Sequence, residues 1–183
     1  MTFPVFASGD VLNASDMNAV GLWLVKTQTI GSGVASVTIT SCFSAQYDNY
    51  LISFSDMTAS ASGVLYGKLT VGTTPQTNGW TGNTFFIVNG AAGGLGNATI
   101  TNAAFFELGS ITSTAGYKNA STCNLQAPFL TTQARSQYSN ADDNYFRFSA
   151  TQLANTTSYD GLQISPSSGT ITGGTIRVYG YRN

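Results

Sequence analysis

From residue 23 onward the chain consists of short runs in which hydrophobic and polar residues alternate, separated by clusters of Gly, Ser, Thr, Asn and Pro. A period of two, bounded by turn-forming residues, is typical of antiparallel β-strands. The runs show neither an internal repeat nor crossover helices, so we predict an all-β fold, an antiparallel, jelly-roll-like β-sandwich. The predicted strands cover residues 23–30, 35–43, 50–57, 65–71, 84–88, 103–111, 121–130, 145–150, 158–164 and 175–181.

The alternation also predicts which side chains of a strand face the core. In the strand 145–150, Phe146 and Phe148 share one face, which we expect to be buried, while Tyr145 and Arg147 share the other. Arg147 then lies either in solvent or at a subunit boundary, and the pattern favours the solvated position.

The last strand has two different faces. Ile176 and Val178 fall on one face, while Arg177, Tyr179 and Tyr181 fall on the other. The two glycines that precede this strand suit a tight turn or a β-bulge. We therefore expect a strand with one buried face that completes the sandwich.

The only segment with a helical pattern is at the N-terminus, in residues 1–22. Asn13 or Ser15 is a suitable N-cap, and Met17, Val20 and Leu22 form an apolar face. The segment is too short to fold alone, so it is either a helical cap on the sandwich or a docking arm. We divide the chain into an arm, residues 1–22, and a β-sandwich domain, residues 23–183. The apolar residues expected to dock are Phe6, Val11, Leu12, Met17 and Leu22.

The composition is unusual in its low charge. Charged residues make up 8% of the 183 residues and the formal net charge is −1, so the surface must consist largely of Ser, Thr, Asn and Gly. With so little charge repulsion, the protein should tolerate close packing against copies of itself. The 42% hydrophobic and 12% aromatic content argues against disorder.

Charge and hydropathy also argue against several partners. The seven Lys and Arg residues are scattered, so we expect no nucleic-acid partner. No apolar run is long enough for a membrane helix, and the N-terminus lacks the features of a signal peptide. We expect synthesis in a cytoplasm, where Cys42 and Cys123 are most simply buried, reduced side chains.

The sequence offers little material for catalysis. It contains no histidine, which removes the usual general base and the commonest metal ligand. Glu107 is the only glutamate, so a catalytic pair of carboxylates is hard to assemble. The acidic run 142–144 is most simply a turn, because a full calcium-binding loop is missing. We therefore expect no enzymatic activity, no cofactor and no metal.

Two loops are notable. Residues 73–83 place Trp80 among turn-forming residues, where it either covers the open end of the sandwich, fills a trimer interface or stacks on a sugar. The pattern favours the first two of these roles. The glycine-rich run 90–97 lacks the spacing and the following helix of a phosphate-binding loop, and we predict a flexible turn there.

Three motifs resemble those of virion surface proteins of tailed bacteriophages, notably of cyanophages. The first is a Phe-x-x-Gly-x-Val-Leu-x-Ala-x-x-x-Asn stretch near the N-terminus. Its matching residues are Phe6, Gly9, Val11, Leu12, Ala14 and Asn18. The second is the Tyr-Asp-x-Tyr strand entry at 47–50, and the third is the closing Gly-Gly-x-Ile-x-Val-Tyr-Gly-Tyr.

The resemblance implies a non-enzymatic structural protein of a phage virion. The form that it favours is a homotrimeric capsid decoration or cement protein, made in the bacterial host and bound on the particle exterior to the major capsid protein or other virion proteins. The alternative is the receptor-binding head of a short tail or head fibre that recognises host-surface glycan. Candidate interface or glycan contacts are Trp80, Arg147, Tyr159, Arg177, Tyr179 and Tyr181.

Overall fold

The computed structural model describes residues 21–88, 94–114, 116–141 and 145–181. These residues contain strands and no helix, and all the strand pairs are antiparallel. The β-sandwich expected from the alternation pattern is thereby confirmed. The strands are β1 (Leu22–Ile30), β2 (Val37–Ile39), β3 (Asn49–Ala59), β4 (Gly63–Val71), β5 (Thr74–Pro75), β6 (Trp80–Val88), β7 (Leu95–Ala103), β8 (Phe106–Ile111), β9 (Asn119–Gln126), β10 (Arg135–Ala141), β11 (Tyr145–Leu153), β12 (Gly161–Pro166) and β13 (Ile171–Tyr181).

The two sheets differ in size. The large sheet has the order β1-β13-β3-β9-β10-β11-β6-β7, and the small sheet has the order β2-β12-β4, with β5 and β8 pairing different parts of β4. Strand β8 packs across the sandwich against β9, β10 and β11. Strands β1 and β7 form the two edges of the large sheet, and the order of the other strands decides which side chains meet on its faces.

The core fills the space between the two sheets. Ile52, Leu125 and Val178 from the large sheet and Leu69 and Leu162 from the small sheet are fully buried. Each comes from a strand whose alternate side chains are more exposed, which is the burial pattern of a sandwich with one core.

The last strand follows its predicted two-sided pattern. Ile176 and Val178 are buried, whereas Arg177 and Tyr179 are half-buried on the outer face. The register with β3 shifts on both sides of Gly173, which confirms a bulge at the paired glycines. Gly174 has φ +125°, and an added Cβ there would collide with the sulfur of Met57.

The N-terminal boundary differs from the prediction. Leu22, assigned from the sequence to the arm, is the first residue of β1 and pairs with Tyr181. Hydrogen bonding to the neighbouring strand β13 decides its conformation. The remainder of the predicted helical arm, residues 1–20, lies outside the described residues, as does the acidic run 142–144.

Three strand assignments are also corrected. The predicted turn at 90–97 overlaps strand β7, which begins at Leu95, and the predicted strand 103–111 divides into the end of β7 and a separate β8. The sequence pattern does not predict strand β10, because Tyr138 is the only large hydrophobic side chain in its run Arg-Ser-Gln-Tyr-Ser-Asn-Ala. The segment is a strand because its backbone is hydrogen-bonded to β9 on one side and to β11 on the other.

Both cysteines are free thiols in the core, as the composition indicated. The thiol of Cys42 donates to the carbonyl oxygen of Ile39 at 3.3 Å, and Cys123 lies in the central strand β9. Desolvation by burial raises the pKa of each thiol from 9.0 to about 12. The folded protein therefore holds these protons to a higher pH than the unfolded chain does.

This proton binding predicts how stability depends on pH. Below about pH 9 both states keep the thiol protons and these groups leave stability unchanged. As pH rises from 9 to 12, only the unfolded chain loses them, so the free energy of unfolding should fall by about 1.4 kcal/mol per pH unit for each thiol. Urea unfolding at pH 7, 9 and 10.5 measures this decline. A Cys42→Ala/Cys123→Ala variant should show a shallower decline, and identical slopes would contradict the assignment.

Candidate assembly surface

The only glutamate of the chain lies buried between the two sheets. Glu107 belongs to β8 of the small sheet, and its carboxylate faces the inner side of the large sheet. One carboxylate oxygen, Oε2, accepts hydrogen bonds from the hydroxyls of Tyr138 at 2.8 Å and Thr84 at 3.0 Å. The hydroxyl of Ser149 lies 3.1 Å from that of Thr84. The two donors to the carboxylate come from strands β10 and β6 of the large sheet, so the carboxylate links the two sheets.

Arg147 turns toward this buried group. Burial raises the pKa of Tyr138, the Glu107 charge raises it further, and Arg147 opposes both effects through its charge and a hydrogen bond. The guanidinium carbon of Arg147 also lies 5.4 Å from the centre of the Phe86 ring, a cation–π contact. The predicted solvated or boundary position of Arg147 is therefore wrong, because a buried carboxylate favours a cation nearby.

The inward position of Arg147 determines the direction of its neighbours. Because side chains alternate along a strand, Phe146 and Phe148 must point away from the core. They are 51% and 43% exposed, so their predicted burial is wrong. The inner face of β11 carries Ser149 and Thr151 instead, both buried. The more polar face of this strand thus faces inward, where Thr84 on β6 and Ser136 on β10 provide hydrogen-bonding partners.

The exposed phenylalanines belong to a larger surface, which we call the apolar patch. Cross-strand pairs place Phe148 beside Phe85 and Phe146 beside Ile87, and Ile87 in turn lies beside Leu95. All five side chains therefore lie on the outer face of the large sheet, on strands β11, β6 and β7. The patch consists of Phe85, Ile87, Leu95, Phe146 and Phe148.

The apolar patch is large and uncharged. Leu95 is 84% exposed and Phe85 is 55% exposed, and a depression between the side chains has a volume of about 350 Å³. With ~150–250 Å² for each aromatic side chain, the exposed apolar area is roughly 500 Å². The residues lining it include no charged side chain. A surface of this size and composition is typical of a protein–protein contact site.

Two of the predicted contact residues are inaccessible. Trp80 opens β6 and is fully buried, with its ring 4.6 Å from that of Phe106 and its indole N–H donating to Gln76 Oε1 at 2.9 Å. Tyr159 is also buried, and its hydroxyl donates to Asn155 Oδ1. The predicted interface and sugar contacts of both side chains are wrong. Both rings are buried in the core, and their polar atoms form hydrogen bonds within the chain.

The remaining predicted residues lie at the other side of the large sheet. Arg177 donates to Ser55 Oγ at 2.8 Å, and Tyr181, 37% exposed, donates to Asn124 Oδ1 at 2.9 Å. Tyr179 on β13 and Leu22 on β1, one of the predicted docking residues, also lie near the β1 edge of the large sheet. None of these joins the apolar patch, which is near the opposite edge. The other docking residues, Phe6, Val11, Leu12 and Met17, lie outside the described residues.

Sequence reasoning missed the patch residues on β6 and β7. The run from Thr84 to Val88 is apolar on both faces, so its alternation does not show which face is buried. Leu95 lies in the glycine-rich run 90–97, whose pattern predicts a turn. The exposed pair on β6 is identified only through its register with Phe146 and Phe148.

Other features of a chemical site are few. Within the described ranges, no three His, Cys, Asp or Glu side chains come together as metal ligands would. No helix there is long and apolar enough to cross a membrane. Comparison with protein-family models finds no matching family, and no curated protein matches the chain.

The inward orientation of β11 predicts unequal effects of two substitutions. Glu107→Ala should lower the free energy of unfolding by about 3 kcal/mol or more, because the buried hydroxyls of Tyr138 and Thr84 lose their acceptor and Arg147 loses a nearby negative charge. Phe148→Ser, on the same part of the sandwich but facing outward, should lower it by less than about 1 kcal/mol. Urea unfolding at pH 7, at protein concentrations low enough for the chain to be monomeric, measures both. A larger loss for Phe148→Ser than for Glu107→Ala would contradict the orientation.

Proposed function

We propose that the protein is a non-enzymatic structural protein of a tailed-phage virion, most concretely a homotrimeric decoration or cement protein on the particle exterior. The apolar patch is the observation that carries this proposal, because it is a broad, uncharged surface on a rigid sheet. The resemblance of the three motifs to virion surface proteins is the reason for placing the protein on a phage particle. The low charge of the chain suits close packing among identical copies and against a capsid protein.

The energetics suit assembly by apolar contact. Burial of roughly 500 Å² at ~25 cal/mol per Å² gives on the order of 12 kcal/mol per copy before the entropic costs of association. A single contact of this size is modest, and several made at once give a much higher avidity. A trimer joined through the patch that docks on the capsid with three N-terminal segments would gain its affinity for the particle in this way, with little dependence on salt because ion pairs contribute little.

The N-terminal segment has a second part in the proposal. Phe6, Val11, Leu12 and Met17 are among the apolar side chains of residues 1–20, and we assign them to docking on the capsid. In this arrangement the patch joins the copies and the N-terminal segment joins the trimer to the particle.

The patch assignment predicts the oligomeric state of a double variant. The unmodified protein should have a solution mass of three times its 19.2 kDa chain, and Phe85→Ser/Phe148→Ser should be monomeric, because two central aromatic contacts are lost. Light scattering after size-exclusion chromatography measures the mass. Val71→Ser is the matched control, since Val71 is 53% exposed but lies on β4 of the small sheet.

The same proteins test the binding to particles. Phage capsids that lack the protein should sediment with the unmodified chain and with Val71→Ser, and with at least 10-fold less of the double variant. A monomeric unmodified protein, or a double variant that remains trimeric, would contradict the assembly role of the patch. A trimer that ignores capsids would contradict the proposed decoration of the particle while leaving the patch as the trimer contact.

A further inference from the structure

The outer face of the large sheet carries a second surface, made of polar side chains in register. Tyr181 pairs with Asn49, Asn49 with Gln126, and Gln126 with Arg135 across β13, β3, β9 and β10. Arg135 pairs in turn with Gln152, which pairs with Thr81 on β6. We call these six residues the polar row. With ~4.8 Å between adjacent strands, the row is about 24 Å long.

A second line of side chains runs parallel to the polar row and is displaced from it by two residues along each strand. It includes Asn124 and Gln137, which pair with each other, and Asn83 and Thr99 on β6 and β7. Two apolar side chains also belong to this second line, Leu51 beside Asn124 and Ala150 beside Gln137. Amides and hydroxyls make up most of the two lines, and Arg135 is the only charged residue in them.

The surface along the polar row is concave in two places. One depression, of about 360 Å³, lies among Asn49, Gln126, Gln137 and Tyr181. The other, of about 230 Å³, lies between Arg135 and Thr81. The two depressions share Gln137 and follow one another across the sheet, so together they form an elongated, shallow channel on a rigid support.

Several of these side chains are held in place by hydrogen bonds. The hydroxyl of Tyr181 donates to Asn124 Oδ1 at 2.9 Å, which fixes its partly exposed ring. Gln152 donates to Gln133 Oε1 at 2.6 Å and accepts from Arg135 Nε at 3.5 Å. In contrast, the side-chain amides of Gln126 and Gln137 make no hydrogen bond to the described residues, so their donors and acceptors face solvent.

We propose that the polar row binds a linear polysaccharide, uncharged or bearing carboxylates. Amide side chains offer both donors and acceptors, as the hydroxyls of a sugar require, and the Tyr181 ring provides an apolar face for the C–H surface of a sugar ring. A single cation suits a neutral or weakly acidic polymer and gives little attraction for nucleic acid. The channel length suits several consecutive sugar units. This function is independent of assembly through the apolar patch.

Affinity electrophoresis in gels that contain dextran, a neutral glucan, or polygalacturonate, an acidic polymer, tests the proposal. One of the polymers should retard the unmodified protein. Gln126→Ala/Gln137→Ala should reduce the apparent affinity at least 10-fold, because it removes the two outward-facing amides. Asn97→Ala is the matched control, since Asn97 is an exposed amide on the same face but beside the apolar patch.

The remaining outcomes separate the polar row from the patch. Retardation should persist in Phe85→Ser/Phe148→Ser, and the Gln126→Ala/Gln137→Ala protein should keep the oligomeric mass of the unmodified chain. Absence of retardation by both polymers, or equal retardation of the unmodified and the Gln126→Ala/Gln137→Ala proteins, would overturn the proposal. Loss of oligomerisation in that variant would overturn it as well, by assigning the row to a protein interface.

Discussion

The buried carboxylate of Glu107 is the constraint on which the outer surface of this sandwich depends. An ionised carboxylate that is moved from water into a core is costly unless hydrogen bonds and a nearby cation compensate. Here the hydroxyls of Tyr138 and Thr84 compensate on one side, and Arg147 turns inward on the other. These partners belong to three adjacent strands of the large sheet, so one side chain of β8 dictates the orientation of all three.

The exposed apolar patch follows from this orientation. A strand has only two faces, and with Arg147 and Ser149 directed inward, Phe146 and Phe148 have no place but the surface. Strand β6 follows the same register and presents Phe85 and Ile87 beside them. The inward direction of the polar side chains of β11 thus also makes the outer face of this part of the sheet apolar. The exposed apolar side chains there are available for contact with another protein.

The outer face of the large sheet therefore combines two kinds of surface on one support. Near the β7 edge it is apolar and suits a protein partner, whereas along one end of its strands, from β13 to β6, it carries amides and hydroxyls that suit a polyol. Both surfaces are set by strand register, so their side chains keep definite spacings without help from loops. Such a sheet could join copies of the chain together while keeping a polar channel open to solvent.

The sequence by itself determined the class of fold. Period-two alternation and turn residues led to an antiparallel sandwich, the two-sided final strand and the buried cysteines, because these depend on local pattern and on hydrophobicity. Only the tertiary structure decided the orientation of β11, the burial of Trp80 and Tyr159, and the existence of β10. Each of these depends on a partner outside the strand itself. Arg147 faces inward toward Glu107, Trp80 is buried because it packs on Phe106 and its indole N–H donates to Gln76, and β10 is a strand because β9 and β11 flank it. Alternation separates the two faces of a strand, but which face turns inward is chosen by what the opposite sheet presents.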